Sequence, residues 1–172
     1  SATISKLSPG SYSHVFGTND SPLVIIVIPT RGDTSRIWGV ETCLVEGIVN
    51  SILKTTDYPN FEIVVVRDVN ANGQMVHPFT LPNDTRILLA DFDQSFHLAK
   101  KWNHGVLASK GDVVVVLDDD THVDKPEWLS QIVGQLQFSD IGVVGPMLLL
   151  EDGRISSAGI TMKPRPTHLS HE

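Results

Sequence analysis

The sequence has little of several features that mark familiar classes of protein. One cysteine, Cys43, occurs in 172 residues, which excludes an internal disulfide framework and suits a reducing compartment. Cys43 falls in a helical pattern and reads as a small core residue rather than a nucleophile. Basic residues are short: 13 Lys and Arg stand against 20 Asp and Glu, a net charge of −7. Nucleic acid is therefore not expected as the main partner, because phosphate backbones call for clustered basic side chains. No apolar run nears the roughly 20 residues that cross a bilayer; the longest, residues 23–28 and 113–117, have strand length. The first six residues lack the basic and apolar parts of a signal peptide. No G-x-G-x-x-G follows the first apolar run, which argues against an ordinary dinucleotide fold. Neither a Walker sequence nor a G-x-S-x-G elbow is present.

What the chain does have is alternation. Residues 1–21 are rich in Ser, Gly, Thr and Asn and read as an irregular arm; from Pro22 the pattern changes. Residues 23–28 form a β-branched run closed by Pro29, the pattern of a strand buried on both faces. A polar loop over 30–35 leads to Val40, Leu44, Val45, Ile48, Ile52 and Leu53 at helical spacing. Further strands are predicted over 61–66, 85–90, 112–117 and 141–150, and helices over 96–108 and 126–138. Asp152-Gly153 predicts a hairpin turn into residues 155–160. The tail from Thr161 is polar and ends without a closing element, so the chain reads as cut short, with residues 22–172 as one incomplete domain. Unbroken apolar strands alternating with helices predict an α/β fold with a mainly parallel sheet covered on both faces. Ligands of such sheets bind beyond the carboxyl ends of the strands, where Thr30-Arg31, Arg67-Asp68 and Asp118-Asp119-Asp120 all fall.

Three consecutive acids after a buried strand repel one another unless a cation or hydrogen-bond donors compensate. Asp118 and Asp120, two residues apart, are placed to share a divalent ion that prefers oxygen ligands, such as Mg²⁺ or Mn²⁺. The plain alternative is a solvated acidic turn before the next helix, and the position at a strand's carboxyl end favours the metal. Asp68 ends the second long strand in the same way; it reads either as a turn residue or as an acceptor for a nucleobase imide or a ribose hydroxyl. His122 is a lone loop histidine, and the spacing of His168 and His171 alone does not make them ligands.

Val27-Ile-Pro-Thr30, Ser51-Ile-Leu with Thr55-Thr-Asp-Tyr-Pro59, and Phe61-Glu-Ile-Val-Val-Val66 resemble the opening of family 2 glycosyltransferases. Phe96, Trp102-Asn-His-Gly105, Ala108-Ser-Lys-Gly-Asp112 and Leu117-Asp-Asp-Asp120 resemble the approach to that family's D-x-D motif. Trp128-Leu129, Val143-Val-Gly-Pro146, Asp152-Gly and Ser157-Ala-Gly159 continue the likeness, which covers about residues 22–160. It implies a GT-A fold, a three-layer α/β/α Rossmann-like sandwich holding a nucleoside-diphosphate sugar, UDP- or dTDP-linked. Nucleotide binding would fall to Pro29, Thr30, Arg31, Asp68, Asn103, Asp118 and Asp119, with Asp118 and Asp120 holding Mn²⁺ or Mg²⁺. The family often has two acids after the second strand; here Arg67 takes the first place.

The implied reaction is inverting transfer of the sugar to a carbohydrate or glycolipid acceptor in cell-surface polysaccharide synthesis. Its setting is the cytoplasm, at the inner face of the membrane. The catalytic base would lie beyond residue 172, leaving this chain able to bind donor but poor at transfer. Three other readings are weighed. Leu117-Asp-x-Asp-Thr121 superficially resembles the motif of an aspartate-dependent phosphohydrolase, but His122 stands where that motif needs Thr or Val. A sugar-nucleotide pyrophosphorylase lacks support, since no glycine-rich loop follows Val27. A non-catalytic donor-binding domain would keep the same acids.

Overall fold

The computed structural model describes residues 21–159 in full, together with the backbone of strand residues 2–8, 11–16, 160–161 and 167–168. His171 lies outside the described residues, and of His168 only the backbone is described. The chain divides into two units, Asn19–Leu129 and Ser1–Thr18 with Ser130–Glu172.

In the second of these, the opening residues are not irregular. β1 (Ala2–Ser8) and β2 (Ser11–Phe16) pair antiparallel, with a bulge between Lys6 and Ser8. Thr, Ile, Val, Tyr and Phe supply strand propensity here that a composition rich in Ser and Gly conceals.

The larger unit runs β3 (Val24–Thr30), β4 (Thr34–Ile37), β5 (Val40–Cys43), α1 (Leu44–Thr55), β6 (Phe61–Asp68), β7 (Ile87–Phe92), α2 (Leu98–Leu107) and β8 (Val113–Val116). The sheet order is β7-β6-β3-β8, and all its pairs are parallel. Every residue of β3 is buried, as expected for a strand covered on both faces. One face of β3 and β6 presents Ile25, Val27, Val64 and Val66, packed with Ala90, Phe92 and Trp102. On α1, Val45, Ile48, Val49 and Ile52 are fully buried, each contributing roughly 1.5–3 kcal/mol. Coverage is not complete: Val114 and Val116 on edge strand β8, and Leu88 and Leu89 on β7, stay partly exposed.

Two further elements differ from expectation. The helical spacing that begins at Val40 is taken over by the β4–β5 hairpin, so α1 starts at Leu44 and Val40 is exposed. Trp38 and Gly39 form a two-residue turn between Ile37 and Val40, and this local pairing wins over the longer period. Of the strand expected over 141–150, only β9 (Leu148–Leu149) forms, after α3 (Trp128–Leu136). Gly142, Gly145 and Pro146 weaken the rest, proline by removing a ladder donor. β9 pairs with β10 (Ile155–Ser157) around the expected turn, where Gly153 donates to the Leu150 carbonyl at 2.9 Å. A last pair, β11 (Ile160–Thr161) with β12 (Thr167–His168), is antiparallel.

α2 lies close against the sheet because Gly105 has no side chain: a Cβ there would run into Val27 and Val66. Gly105→Ala should therefore cost about 1–3 kcal/mol through overpacking, although alanine is the better helix former. The check is the urea midpoint at unchanged slope; an unaltered or raised midpoint would show that α2 is held less closely.

Candidate functional site

The chain leaves β3 toward β6 and returns from β7 to β8, so the strand order reverses between β3 and β8. Right-handed crossovers in the two directions put α1 on one face of the sheet and α2 on the other. The loops after β3 and β8 part at that switch point, and the crevice between them is where open sheets bind ligands. The acid triplet follows β8 directly. Leu117 N–H extends the ladder to the Val27 carbonyl at 3.1 Å, after which the chain turns: Thr121 Oγ1 donates to the Asp118 carbonyl at 2.7 Å. Val123 N–H donates to Ser51 Oγ of α1 at 3.2 Å, anchoring the far end of the loop.

Thr30 joins the two loops. Its hydroxyl donates to Asp119 Oδ2 at 2.6 Å and accepts the Gly32 N–H at 2.9 Å. A hydroxyl-to-carboxylate bond of that length is of the strong, charge-assisted kind. Beneath it lies Lys101 of α2, only 1% exposed, with its Nζ 2.7 Å from the Thr30 carbonyl and 2.8 Å from Asp68 Oδ1. The Asp68 contact is an ion pair off the hydrogen-bonding axis. Lys101 thus ties the ends of β3 and β6 to α2. Arg67, in the first of the two places where the family often has acids, is bound to Asp91 of β7 at 2.6 Å.

The crevice on the α2 side is lined by Pro29, Thr30, Arg31, Asp33, Phe96, Leu98, Lys101 and the triplet. Acids predominate: Asp33, Asp118, Asp119 and Asp120 face Arg31 and Lys101, and Lys101 is already engaged by Asp68. Burial pushes the Asp118 carboxyl above the ordinary aspartate value, and the charge of Asp120 adds to the shift. Asp119 is raised by burial, pulled back by the Thr30 hydrogen bond, and raised again by Asp120, Asp33 and Asp118. Such crowding calls for a cation. Among the described residues no group of three or more His, Cys, Asp and Glu side chains is placed to hold a metal ion, so further oxygen ligands would have to come from elsewhere.

Pro29, Thr30, Arg31, Asp118, Asp119 and Asp120 are thus gathered along one crevice, and Asp68 adjoins it through Lys101. Asn103 is not brought in: it is exposed on α2, about 200° around the helix from Lys101. Lys101, Asp33 and Phe96 are members that sequence reading passed over. Leu98, Lys101 and Gly105 share one helical face by their spacing, so a cation in line with the packing face was the available signal for Lys101.

A parallel sheet with an acid triplet at its switch point defines the class as a GT-A-like α/β domain. The sequence model of Glycosyl transferase family 2 matches residues 26–156, and the chain belongs to that family. It is 32% identical over 156 residues to uncharacterized protein y4gI of Sinorhizobium fredii (strain NBRC 101917 / NGR234), covering 90% of this chain and 16% of that protein. It is 25% identical over 162 residues to the O-antigen biosynthesis protein RfbC of Myxococcus xanthus, covering 94% of this chain and 12% of that protein. The chain therefore spans less than a fifth of either relative's length. Among solved structures, the mannosyltransferase PcManGT from Pyrobaculum calidifontis, in complex with GDP-Man and Mn²⁺, shares the fold with a TM-score of 0.57. That match is 20% identical and covers 74% of this chain and 36% of the other. No helix of the described residues is long and apolar enough to cross a membrane.

Lys101→Met should destabilise the chain by about 3 kcal/mol, because removing one partner leaves Asp68 facing an apolar group; denaturant unfolding measures it, and a change below about 1 kcal/mol would deny Lys101 its tie. Asp118→Asn should do the opposite. An acid raised in the folded state keeps its proton there while the unfolded chain has lost it, so its penalty grows as pH rises through the carboxylate range. The variant should melt higher than wild type at pH 7 without ligand, and the difference should shrink toward about pH 4. A lower melting point, or a gap that ignores pH, would contradict this electrostatic account.

Proposed function

We propose that the chain holds the nucleoside-diphosphate sugar of a glycosyl transfer reaction along the carboxyl edge of its sheet, with a divalent cation and the diphosphate at the acid triplet. The observation that carries this reading is the position of Asp118, Asp119 and Asp120 at the switch point, with Asp119 hydrogen-bonded to Thr30. Within the triplet the roles divide. Asp119 is committed to Thr30 and holds the two loops together, which leaves Asp118 and Asp120 as the free oxygen donors. Mn²⁺ and Mg²⁺ commonly take one or two carboxylates and complete their shell with phosphate oxygens and water. A pair of carboxylates, with no third protein ligand placed beside it among the described residues, fits that habit, as does the excess of acid in the crevice.

When bound, such an ion stabilises the negative charge that gathers on a departing diphosphate. The base and ribose lie toward Pro29, Thr30, Arg31 and Asp68 in this reading, and Lys101 presents Asp68 by fixing it from below. The acceptor is a hydroxyl of a carbohydrate or glycolipid, and transfer inverts the anomeric centre. Cell-surface polysaccharide synthesis at the cytoplasmic face of a membrane is the setting, in keeping with the O-antigen relative. UDP- and dTDP-linked donors are favoured from sequence, and GDP-linked ones are added by the ligand of the structural neighbour.

Calorimetric titration with UDP, dTDP and GDP, with and without Mn²⁺, tests the reading. One of the three should bind in a manganese-dependent way, and Asp120→Ala should weaken it at least about ten-fold, or about 1.4 kcal/mol. Binding indifferent to both metal and Asp120 would refute the clamp, and no binding of any nucleotide would refute the donor site in this chain.

A further inference from the structure

The β4–β5 hairpin presents a feature that nucleotide binding does not use. Its two-residue turn places Trp38 at φ 45° and Gly39 at φ 81°. Both central positions are left-handed, the pattern of a type I′ turn, where Asn, Asp and Gly are the residues that fit easily. A bulky aromatic residue is the wrong choice for the backbone, and such outliers persist where the surroundings hold them and often mark functional positions. Here Arg36 braces the tip by donating from Nε to the Gly39 carbonyl at 3.0 Å. Trp38 is 59% exposed, and its indole and the His122 ring stand perpendicular, at a centroid distance of 5.1 Å and an angle of 88°.

Beside Trp38 is a second cavity of about 260 Å³, walled by Val40, Leu44, Ile48, Asp120 and His122. It lies on the α1 side of the triplet, and the nucleotide crevice lies on the α2 side; Asp119 and Asp120 are the residues the two share. Its lining has two characters, an aromatic and aliphatic wall and a rim of carboxylate, hydroxyl and imidazole groups. Its volume falls just below the roughly 300–1,000 Å³ of common ligand pockets, so it suits one ring rather than a nucleotide. A pyranose matches both characters, with an apolar C–H face to lie on the indole and hydroxyls at its edge for the polar rim.

We propose that Trp38 and this cavity form a platform for one pyranose ring, separated from the nucleotide by Asp119 and Asp120. The proposal rests on the donor reading for its place in the reaction, since either the transferred sugar or the acceptor's sugar must come close to the triplet. The Trp38 residue itself is a binding and specificity determinant.

The test compares Trp38→Ala, Trp38→Phe and Trp38→Asn with wild type by NMR titration of the whole chain. The probes are UDP-glucose, GDP-mannose, UDP, GDP, methyl glucopyranoside and methyl mannopyranoside, with Mn²⁺ present. Trp38→Asn is the fold control, because asparagine suits the left-handed turn and should leave the melting point unchanged or raised. In Ala and Asn variants, sugar-bearing ligands should weaken about five-fold or more while UDP and GDP stay within about two-fold, and Phe should retain most of the affinity. A loss confined to the nucleotide sugars makes the ring that of the donor; a loss confined to the methyl glycosides makes it that of the acceptor. If no nucleotide binds but glycoside binding still depends on Trp38, the donor reading fails and the platform stands. Equal binding of every sugar-bearing probe by wild type and Trp38→Asn overturns the platform, whatever the nucleotides do.

Discussion

An ammonium group taken out of water must find oxygen, and Lys101 finds it at the ends of two neighbouring strands. Its Nζ lies within 2.8 Å of both the Thr30 carbonyl and Asp68. One buried charge therefore couples α2, β3 and β6 at the edge where a ligand would sit. The desolvation cost of such a group is repaid only if its partners stay in place, so the geometry of the crevice and the stability of the fold depend on the same contact. Thr30 extends this link: its carbonyl serves Lys101, and its hydroxyl serves Asp119 on the far side of the switch point.

The triplet works against this order. Burial and mutual repulsion raise Asp118 and Asp119, so the ligand-free chain carries charge that it would be more stable without. Sites arranged for a ligand commonly sacrifice stability in this way. The three acids are not equivalent, because the Thr30 bond singles out Asp119 as a strut and leaves its neighbours free. The Asp68–Lys101 and Arg67–Asp91 pairs, by contrast, neutralise their own acids and keep the excess negative charge near the triplet.

The hairpin between β3 and α1 adds a wall on the opposite side of those acids. Because α1 and α2 cover opposite faces of the sheet, the triplet becomes the partition between two openings rather than the floor of one. A sugar nucleotide has two chemically unlike ends joined by a diphosphate, and in the proposed donor reading a partition of carboxylates would meet such a molecule at its diphosphate.

Much of this was legible in the residues. The largely apolar runs at 23–28, 61–66 and 113–117, with helical spacings between them, pointed to the parallel α/β sheet; burial on both faces explains the first, whereas Val114 and Val116 of the last stay partly exposed. The order of short motifs up to Asp118-Asp119-Asp120 determined the family, and strand polarity put Thr30, Asp68 and the triplet on one edge. Local periodicity could not show that Val40 belongs to a hairpin, since two turn residues with positive φ outweigh a helical pattern only once the strands pair. It also could not show that, of the strand expected over 141–150, residues 141–147 would stay unpaired and only Leu148–Leu149 would form one. Tertiary structure alone decided that Lys101 meets the Thr30 carbonyl and Asp68, that Asp119 rather than its neighbours bonds Thr30, and that Trp38 stands beside His122. Each of these depends on residues tens of positions apart meeting in space, and pairwise distance across a fold is not encoded in the spacing of either partner's own segment.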